Sequence, residues 1–267
     1  LLDTCTYTTR QAQCHGCENQ CLIQRYTFAN GARYVSGNRC ERIYTNGATA
    51  VENGRNAYEE KRKCLFGELG ARSEELGVNS QLSTHNSQLK IGLPRCLNIF
   101  EEYPFWNALF TACGIEVVLS SPSDYGRYER VARQIMSDNI CFPAKLAHAH
   151  VQELVDRRVD RVFMPFVVYE RSQGEQNSYN CPVVTGYSQV IKSVQTTDVP
   201  IDAPVFSFKD EKTLYRQCRR YLLELGVDES CIRSAFAEAI KAQEDYEHEV
   251  VEINRRIYAE ALELGRP

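Results

Sequence analysis

Cysteine is the residue type with the most potential for chemistry in this chain, since twelve of the 267 residues carry a thiol. Cys141 lies just before Pro143, which suits the first turn of a helix because its φ is already helical and it needs no amide donor there. Apolar residues then recur at helical spacing as far as Leu154, which predicts a helix over about 143–157. The positive end of its dipole would favour a thiolate at Cys141 that could ligate a metal or act as a nucleophile. The alternative is a small, buried, unreactive side chain.

Four further cysteines have the spacing of metal ligands, namely Cys14, Cys17, Cys21 and Cys40. Asn30-Gly31, between the last two, is the strongest signal for a two-residue hairpin turn. Strands paired about that turn would have opposed positions that sum to 61, which sets Cys21 across from Cys40 at roughly 5 Å between Cβ atoms. Cys14 and Cys17, on a tight loop, could complete a four-cysteine site for zinc or an iron–sulfur cluster. His15 could replace one ligand, and a disulfide or unligated thiols are the alternatives.

Composition limits the partners and the compartment of the protein. The formal net charge is -4, so neither nucleic acid nor an anionic membrane surface is an expected partner. We find no run of about 18 apolar residues that would span a membrane and no signal peptide at the first residues. The chain length and the regular helical patterns favour thiols and metal sites in a reducing cytoplasm over a disulfide framework.

The residue patterns divide the chain into four segments. Residues 1–50 form a cysteine-rich β-hairpin knuckle, 51–89 a linker with one helix, 90–209 an α/β domain, and 210–267 the C-terminal helices. Short apolar strands at about 90–94, 115–119, 161–165 and 204–208 alternate with helices, which predicts a parallel sheet covered on both faces. We interpret 166–179 as a long loop, and the residues after Asp228 as one very long helix with a coiled-coil-like seam.

Parallel sheets bind ligands at the carboxyl ends of their strands. That edge would carry Arg95, Cys96 and the loop that ends at Cys181, whereas Cys141 reaches it only if its own connection crosses the edge. Arg95 and Lys145 are candidates for binding a phosphate or CoA group, and the alternative for both is a solvated side chain.

Several motifs together resemble one known family. They are Ile91-Gly-Leu-Pro-Arg-Cys-Leu-Asn98, Glu102-Tyr-Pro-Phe-Trp106, Gly114-Ile-Glu-Val-Val-Leu-Ser120, Cys141-Phe-Pro-Ala-Lys-Leu146, Val159-Asp-Arg-Val-Phe163 and Tyr179-Asn-Cys-Pro-Val-Val-Thr185. The chain, over about residues 10–265, is similar to the activase-associated domain of unknown function. That domain accompanies the ATP-dependent activases of 2-hydroxyacyl-CoA dehydratases and is related to the dehydratase subunits and to double-cubane cluster proteins.

The resemblance implies a Rossmann-like α/β domain that helps to hold a low-potential iron–sulfur cluster, of the 4Fe-4S or double-cubane type, between two such domains. Cys141 and Cys181 match the expected ligand positions. Cys96 stands where close relatives would have Ala, although more distant dehydratase subunits place a cysteine near that strand end. A second half-domain would begin about where this chain ends, so its ligands would be missing here.

The function implied is ATP-driven electron transfer for reduction of an acyl-CoA substrate, with an activase domain or subunit as partner. The chain has no Gly-rich phosphate loop of the Walker or dinucleotide type, so we expect no ATPase activity and no enzyme activity from it alone. The alternative is a non-catalytic docking module, stabilised by zinc in the cysteine knuckle, that seats an activase partner.

Overall fold

The computed structural model describes residues 6–15, 20–29, 31–37, 55–67, 89–137, 139–171 and 177–264. The chain divides into two compact units, Leu1–Asn56 and Ala57–Pro267. The four segment borders expected from the sequence stay predictions.

The N-terminal unit contains a three-stranded antiparallel sheet in the order β1 (Tyr7–Gln13), β2 (Leu22–Phe28) and β3 (Arg33–Ser36). Ile23 and Val35 are buried, whereas β1 is almost wholly exposed. Strand β1 was not expected, because its sequence is polar on both faces and so lacks the alternation that marks a half-buried strand.

The register of the predicted hairpin is wrong by one residue. Arg25 lies opposite Val35, so opposed positions sum to 60 rather than 61. Three residues separate the last paired positions, 28 and 32, and Gly31 has the left-handed φ of +83° that ends a three-residue hairpin loop. This register does not set Cys21 across from position 40, and Cys40 itself lies outside the described residues.

The second unit is built on a parallel sheet, as predicted. Its strands lie in the order β5 (Glu116–Leu119), β4 (Lys90–Leu93), β6 (Arg161–Phe163) and β8 (Ile201–Asp202). β7 (Phe166–Tyr169) and β9 (Val205–Ser207) pair in parallel directly beyond β6 and β8. The first part of the predicted loop 166–179 is therefore strand β7. Pro165, which has no amide donor, separates β6 from β7, and parallel pairing resumes at Phe166.

Seven α-helices are described, and the sequence placed most of them correctly. They are α1 (Ala57–Leu65), α2 (Asn98–Ala112), α3 (Tyr125–Val131), α4 (Phe142–Asp156), α5 (Pro182–Val194), α6 (Glu211–Glu224) and α7 (Glu229–Glu263). The predicted long C-terminal helix is α7, with 35 residues, and Asp228 caps it by accepting a hydrogen bond from the Ser230 amide. None of the described helices is both long and apolar enough to cross a membrane.

Two apolar cores cover the two faces of the sheet. On one face, α2, α6 and α7 pack an aromatic cluster that includes Trp106, Phe163 and Phe206. On the other face, α4 and α5 pack around Val162 and neighbouring aliphatic side chains. Phe163 and Val162 are adjacent in β6 and so point to opposite faces. The predicted α/β fold with helices on both faces of a parallel sheet is confirmed.

Candidate functional site

Two of the predicted ligands, Cys141 and Cys181, begin two neighbouring helices. Cys141 is the N-cap of α4 and Cys181 the N-cap of α5, and both have an extended backbone, with φ of −60° and −63°. A proline in the first turn starts each helix in the same way. Because α4 and α5 each lead back to the start of a parallel strand, both N-termini lie at the carboxyl edge of the sheet. Cys141 therefore lies at the carboxyl edge of the sheet, which the sequence analysis could not decide.

A hydrogen bond joins the two helices that the cysteines cap. His148 Nε2 lies 3.0 Å from the hydroxyl of Tyr187. His148 follows Cys141 by seven residues and Tyr187 follows Cys181 by six, so the two bonded residues lie about two helical turns along their helices from the caps. This contact therefore fixes α4 and α5 to each other below the two cysteines.

Both thiols are exposed, and the sulfur of Cys181 has a donor. The Val184 amide donates to Cys181 Sγ at 3.4 Å, so the sulfur caps the helix N-terminus. An amide donor at this place can also bond a sulfur that ligates a metal. Burial, and then the charge of Cys141, raise the pKa of the Tyr187 phenol.

Cys96, the third predicted ligand of this group, has a different environment. It lies just past the end of β4 and is buried in the same apolar cluster as Ala144 and Tyr187. Burial raises the pKa of its thiol to about 12, so the sulfur is neutral at pH 7. Cys96 is thus close in the fold to the two exposed cysteines but beneath the surface, and its role as a ligand stays a prediction.

The two predicted anion-binding residues also differ from each other. The Arg95 amide donates to Ser120 Oγ at 2.8 Å, and its guanidinium lies over the ring of Phe66 at 4.2 Å. Lys145 is half-buried in the first turn of α4, with its amide on the carbonyl of Cys141 at 3.2 Å. Lys145 is therefore closer than Arg95 to Cys141 along the chain, since it lies in the helix that Cys141 caps. Binding of a phosphate or CoA group by Arg95 or by Lys145 stays a prediction.

His150 is a buried residue whose role the sequence did not indicate. Its Nδ1 lies 2.9 Å from Ser120 Oγ and its Nε2 lies 3.0 Å from Ser123 Oγ. Ser120 Oγ also accepts the Arg95 amide, so one hydroxyl joins the residue after β4 to the imidazole ring in α4. Burial lowers the pKa of His150 to about 4, so the neutral ring joins β4, β5 and α4 rather than acting as a base for Cys141.

A buried carboxyl group, Glu102, supports the segment that leads to Cys181. Trp106 Nε1 donates to Glu102 Oε2 at 3.2 Å, and burial, followed by the nearby Glu170, raises the pKa of Glu102. Asn180 donates to Glu170 and to the carbonyl of Val167 at 3.1 Å. The residue before Cys181 is thus fixed to β7 through its side chain. No local pattern indicated this arrangement, because Glu102, Glu170 and Asn180 are not grouped along the chain.

The N-terminal cysteines form a different pair from the predicted one. The Cys14 amide donates to the carbonyl of Cys21 at 2.8 Å, one step beyond the β1–β2 ladder, so these two residues lie opposite each other. Cys17 and Cys40 lie outside the described residues. Among the residues that the structure does describe, no three Cys, His, Asp or Glu side chains are grouped as metal ligands. The four-cysteine site for zinc or an iron–sulfur cluster stays a prediction.

Fold and site define an α/β protein with two accessible thiols at the edge of the sheet where such folds bind ligands. A family model described as the CoA enzyme activase uncharacterised domain matches residues 90–266. The chain belongs to this family, which confirms the resemblance found in the sequence. Comparison with curated proteins and with solved structures finds no match.

Proposed function

We propose that Cys141 and Cys181 supply two thiolates to an iron–sulfur cluster that the chain shares with a second protein domain. The observation that carries this proposal is the placement of the two exposed cysteines as N-caps of neighbouring parallel helices. Iron–sulfur clusters are held by cysteine thiolates, and the N-terminus of a helix favours that form. When bound, the cluster would supply one-electron transfer at low potential.

The sulfur environment fits a cluster ligand. The Val184 amide donates to Cys181 Sγ, and hydrogen bonds to ligand sulfurs are one of the means by which proteins set cluster potentials. Asn180 and its contact with Glu170 fix the backbone just before Cys181, and the contact between His148 and Tyr187 fixes the two helices to each other. These contacts fix the backbone that carries both cysteines, while both sulfurs stay exposed outside the core.

Two thiolates are half of the usual four-cysteine ligand set, so the rest would come from a second domain. Exposed aromatic side chains beside both cysteines fit this idea: Phe142 is 50% exposed and Tyr179 is 66% exposed. Phe142 packs edge-on against Tyr128 and Tyr179 against Tyr169, so both rings are held in place while exposed. A covering domain would bury this apolar surface together with the cluster.

Membership of the CoA enzyme activase family supports an activase-related role for the chain. The finer proposal is that an ATP-dependent activase delivers electrons through the shared cluster to an acyl-CoA substrate. The chain itself would contribute ligands and position rather than nucleotide chemistry. Lys145, in the first turn of α4, is the described cation best placed to attract an anionic CoA or phosphate group to this edge.

A second candidate function is a docking module stabilised by zinc, and the opposed Cys14 and Cys21 favour it. In this alternative the N-terminal cysteines bind zinc, the exposed cysteines at the sheet edge bind nothing, and the surface around Phe142 seats an activase partner.

Anaerobic reconstitution of the 267-residue chain with iron and sulfide tests the proposal. We expect a broad visible absorption that the double variant Cys141→Ser, Cys181→Ser loses, together with its share of bound iron. The matched control is Cys231→Ser, which changes another cysteine in the first turn of a helix and should keep the absorption. Zinc binding without iron, or equal iron in the double variant and the control, would contradict the proposal and support the docking module.

A further inference from the structure

The last strands of the parallel sheet, β8 and β9, have a neighbour on one side only. β8 pairs with β6 and β9 pairs with β7, and no other described strand lies beyond them. The carbonyls of Pro200, Asp202 and Pro204 accept amides of the β6–β7 segment at 2.8 Å. Backbone groups point to alternate sides along a strand, so those of the odd-numbered residues in 201–207 point away from the sheet. We refer to this side as the open side.

The open side has few of the features that block an edge strand, such as an outward proline or an outward charge. Pro200 and Pro204 both lie on the paired side. Val205, whose side chain is 45% exposed, is apolar. Among the described residues, one side chain covers an outward amide, since Gln217 Oε1 accepts the Ser207 amide at 2.9 Å. The backbone before Ser207 can therefore accept a further strand.

Helix α6 runs along the open side. Gln217 bonds the end of β9, and one turn later the hydroxyl of Tyr221 donates to Asp202 Oδ2 in β8 at 2.7 Å. The helix is therefore antiparallel to the strand that it follows. A shallow hollow on α6 is lined by Thr213, Arg216, Gln217 and Arg220. Because Gln217 belongs to the hollow and also bonds β9, the hollow adjoins the open side.

The hollow carries two positive charges that no described carboxylate neutralises by an ion pair. Arg216 and Arg220 are exposed and lie one turn apart on α6. Arg219, which lies between them, pairs with Glu229 instead. Asp210 uses its carboxylate as the N-cap of α6. Two guanidinium groups are thus available for carboxylates from outside the described chain, and this is the anion that their planar fork fits well.

We propose that the open side of β8 and β9, together with Arg216 and Arg220, binds an extended acidic segment of a partner protein as an additional strand. Backbone bonds to the outward groups of the sheet would hold the segment, as in other cases of strand addition. Side chains of an extended segment alternate between the two faces of the sheet. One set would lie on the face that α6 covers, where its carboxylates would accept charge-assisted hydrogen bonds from the two arginines.

The other set of side chains would lie on the opposite face, beside Val205. Phe206 is buried in the core that α6 covers, so its neighbour Val205 points to the other face. Because Val205 is exposed and apolar, apolar residues fit this set. The partner segment is therefore expected to alternate acidic and apolar residues.

A second copy of this chain fits the open side less well than an acidic partner. Antiparallel pairing of two copies about a two-fold axis would place both α6 helices on the same face of the joined sheet. Arg216 and Arg220 of one copy would then lie beside the same residues of the other. Such a juxtaposition of like charges opposes the contact.

Two labelled peptides of equal composition test the inference on the full 267-residue chain. The first alternates the two residue types, as Glu-Val-Glu-Val-Glu-Val-Glu, and the second has all its glutamates before its valines. Fluorescence anisotropy at low salt measures their binding. We expect the alternating peptide to bind about tenfold more tightly than the block peptide, because its carboxylates all lie on one face of a strand.

Two variants separate the contributions of the arginines and of the backbone. Arg216→Glu combined with Arg220→Glu should weaken binding of the alternating peptide by about tenfold or more. The matched control is Arg255→Glu combined with Arg256→Glu, which makes the same change of charge on exposed residues of α7 and should leave binding as it is. Val205→Pro removes an outward amide and should also weaken binding.

The inference is wrong if both peptides bind equally, since charge alone would then account for the binding. It is also wrong if the two double variants bind alike, or if no peptide binds at about 1 mM. A dimer in sedimentation that Val205→Pro dissociates would assign the open side to a second copy and overturn the inference as well. The peptide comparison and the arginine variants decide the question even if Val205→Pro does not fold.

Discussion

The two edges of one sheet carry cysteines that differ in exposure and in the helix ends that hold them. At the carboxyl edge, Cys141 and Cys181 are exposed and cap the N-termini of α4 and α5. At the amino edge, Cys113 and Cys231 are half-buried, at the C-cap of α2 and in the first turn of α7.

This difference teaches that the place of a thiol in the fold, rather than the residue type, decides what it can do. An exposed thiol that caps a helix N-terminus is accessible to an inorganic group. A half-buried thiol that packs beside the aromatic core is less accessible. The proposed cluster ligation therefore belongs to the carboxyl edge, and each variant below tests that edge or the core that both edges share.

The largest expected effect comes from the core that both edges share. Trp106 is fully buried in α2 and lies 4.8 Å, between ring centroids, from both Phe163 and Phe206. Trp106→Ala should lower the free energy of unfolding by about 3–5 kcal/mol and loosen both edges of the sheet together. Urea denaturation measures this loss, and Trp106→Phe, which keeps a ring, should cost less. An unchanged urea midpoint would mean that the two edges do not depend on a common core.

A pH effect should act through the carboxyl side, because His150 is buried in α4. Burial lowers its pKa from 6.5 to about 4, so the unfolded chain binds a proton at this residue that the folded chain does not bind between those values. Stability is therefore complete above about pH 6.5 and falls as the pH decreases toward 4. The expected loss is about 3 kcal/mol, since each pKa unit corresponds to about 1.4 kcal/mol.

Urea denaturation at a series of pH values measures this contribution. His150→Gln should reduce the slope of stability against pH between 4 and 6.5, while the same change at the exposed His248 should leave the slope as it is. Equal slopes in His150→Gln and in the unsubstituted chain would contradict the assigned role of His150.

A smaller effect is expected from the hydrogen bond between His148 and Tyr187, which joins α4 to α5. Tyr187→Phe removes the hydroxyl that bonds His148 Nε2 and leaves this buried nitrogen without that partner, which costs about 1–3 kcal/mol. Thermal denaturation measures the cost, and Tyr258→Phe on the exposed side of α7 is the control. If the proposed cluster is held at this edge, Tyr187→Phe should also retain less iron than the control.

The smallest effect is expected at the cap of α7. Asp228 accepts the Ser230 amide at 2.7 Å, and Asp228→Ala should cost about 1 kcal/mol. Because Asp228 caps α7 rather than α4 or α5, the variant should leave iron binding at the carboxyl edge intact. Thermal denaturation measures the cost, with Asp228→Asn, which keeps a capping oxygen, as the matched control. An equal loss in both variants would contradict this role for the α7 cap.

Local patterns were sufficient to predict the parallel sheet, α4 and the long α7. The N-cap position of Cys141 could also be expected, since Pro143 marks the first turn that follows it, whereas Cys181 was expected to lie in a loop and caps α5 instead. The N-terminal register failed because Asn30-Gly31 was taken for a two-residue turn, whereas the paired positions 28 and 32 are separated by three residues and Gly31 has the left-handed conformation. One residue of slip is enough to change which side chains face each other.

The contacts that complete the sites depend on tertiary packing and left no local signal. His148 and Tyr187 bond only because α4 and α5 pack on the same face of the sheet. Glu102 and Glu170 are likewise brought together by the fold rather than by any spacing in the sequence. Strand β7 was missed for a different reason, since Pro165 resembles the end of a strand although the ladder continues beyond it.

Position 92 in the middle of β4 sets how deeply α4 can settle onto the sheet. Gly92 has no side chain, and a methyl group in its place would meet both terminal carbons of Leu154 and one of Val159 at 3.1 Å. An alanine there would require these side chains to yield by a few tenths of an ångström. The close fit of α4 onto β4 therefore depends on the absence of a side chain at position 92. The helix that presents Cys141 at one edge of the sheet is thus seated on a glycine in the middle of a buried strand.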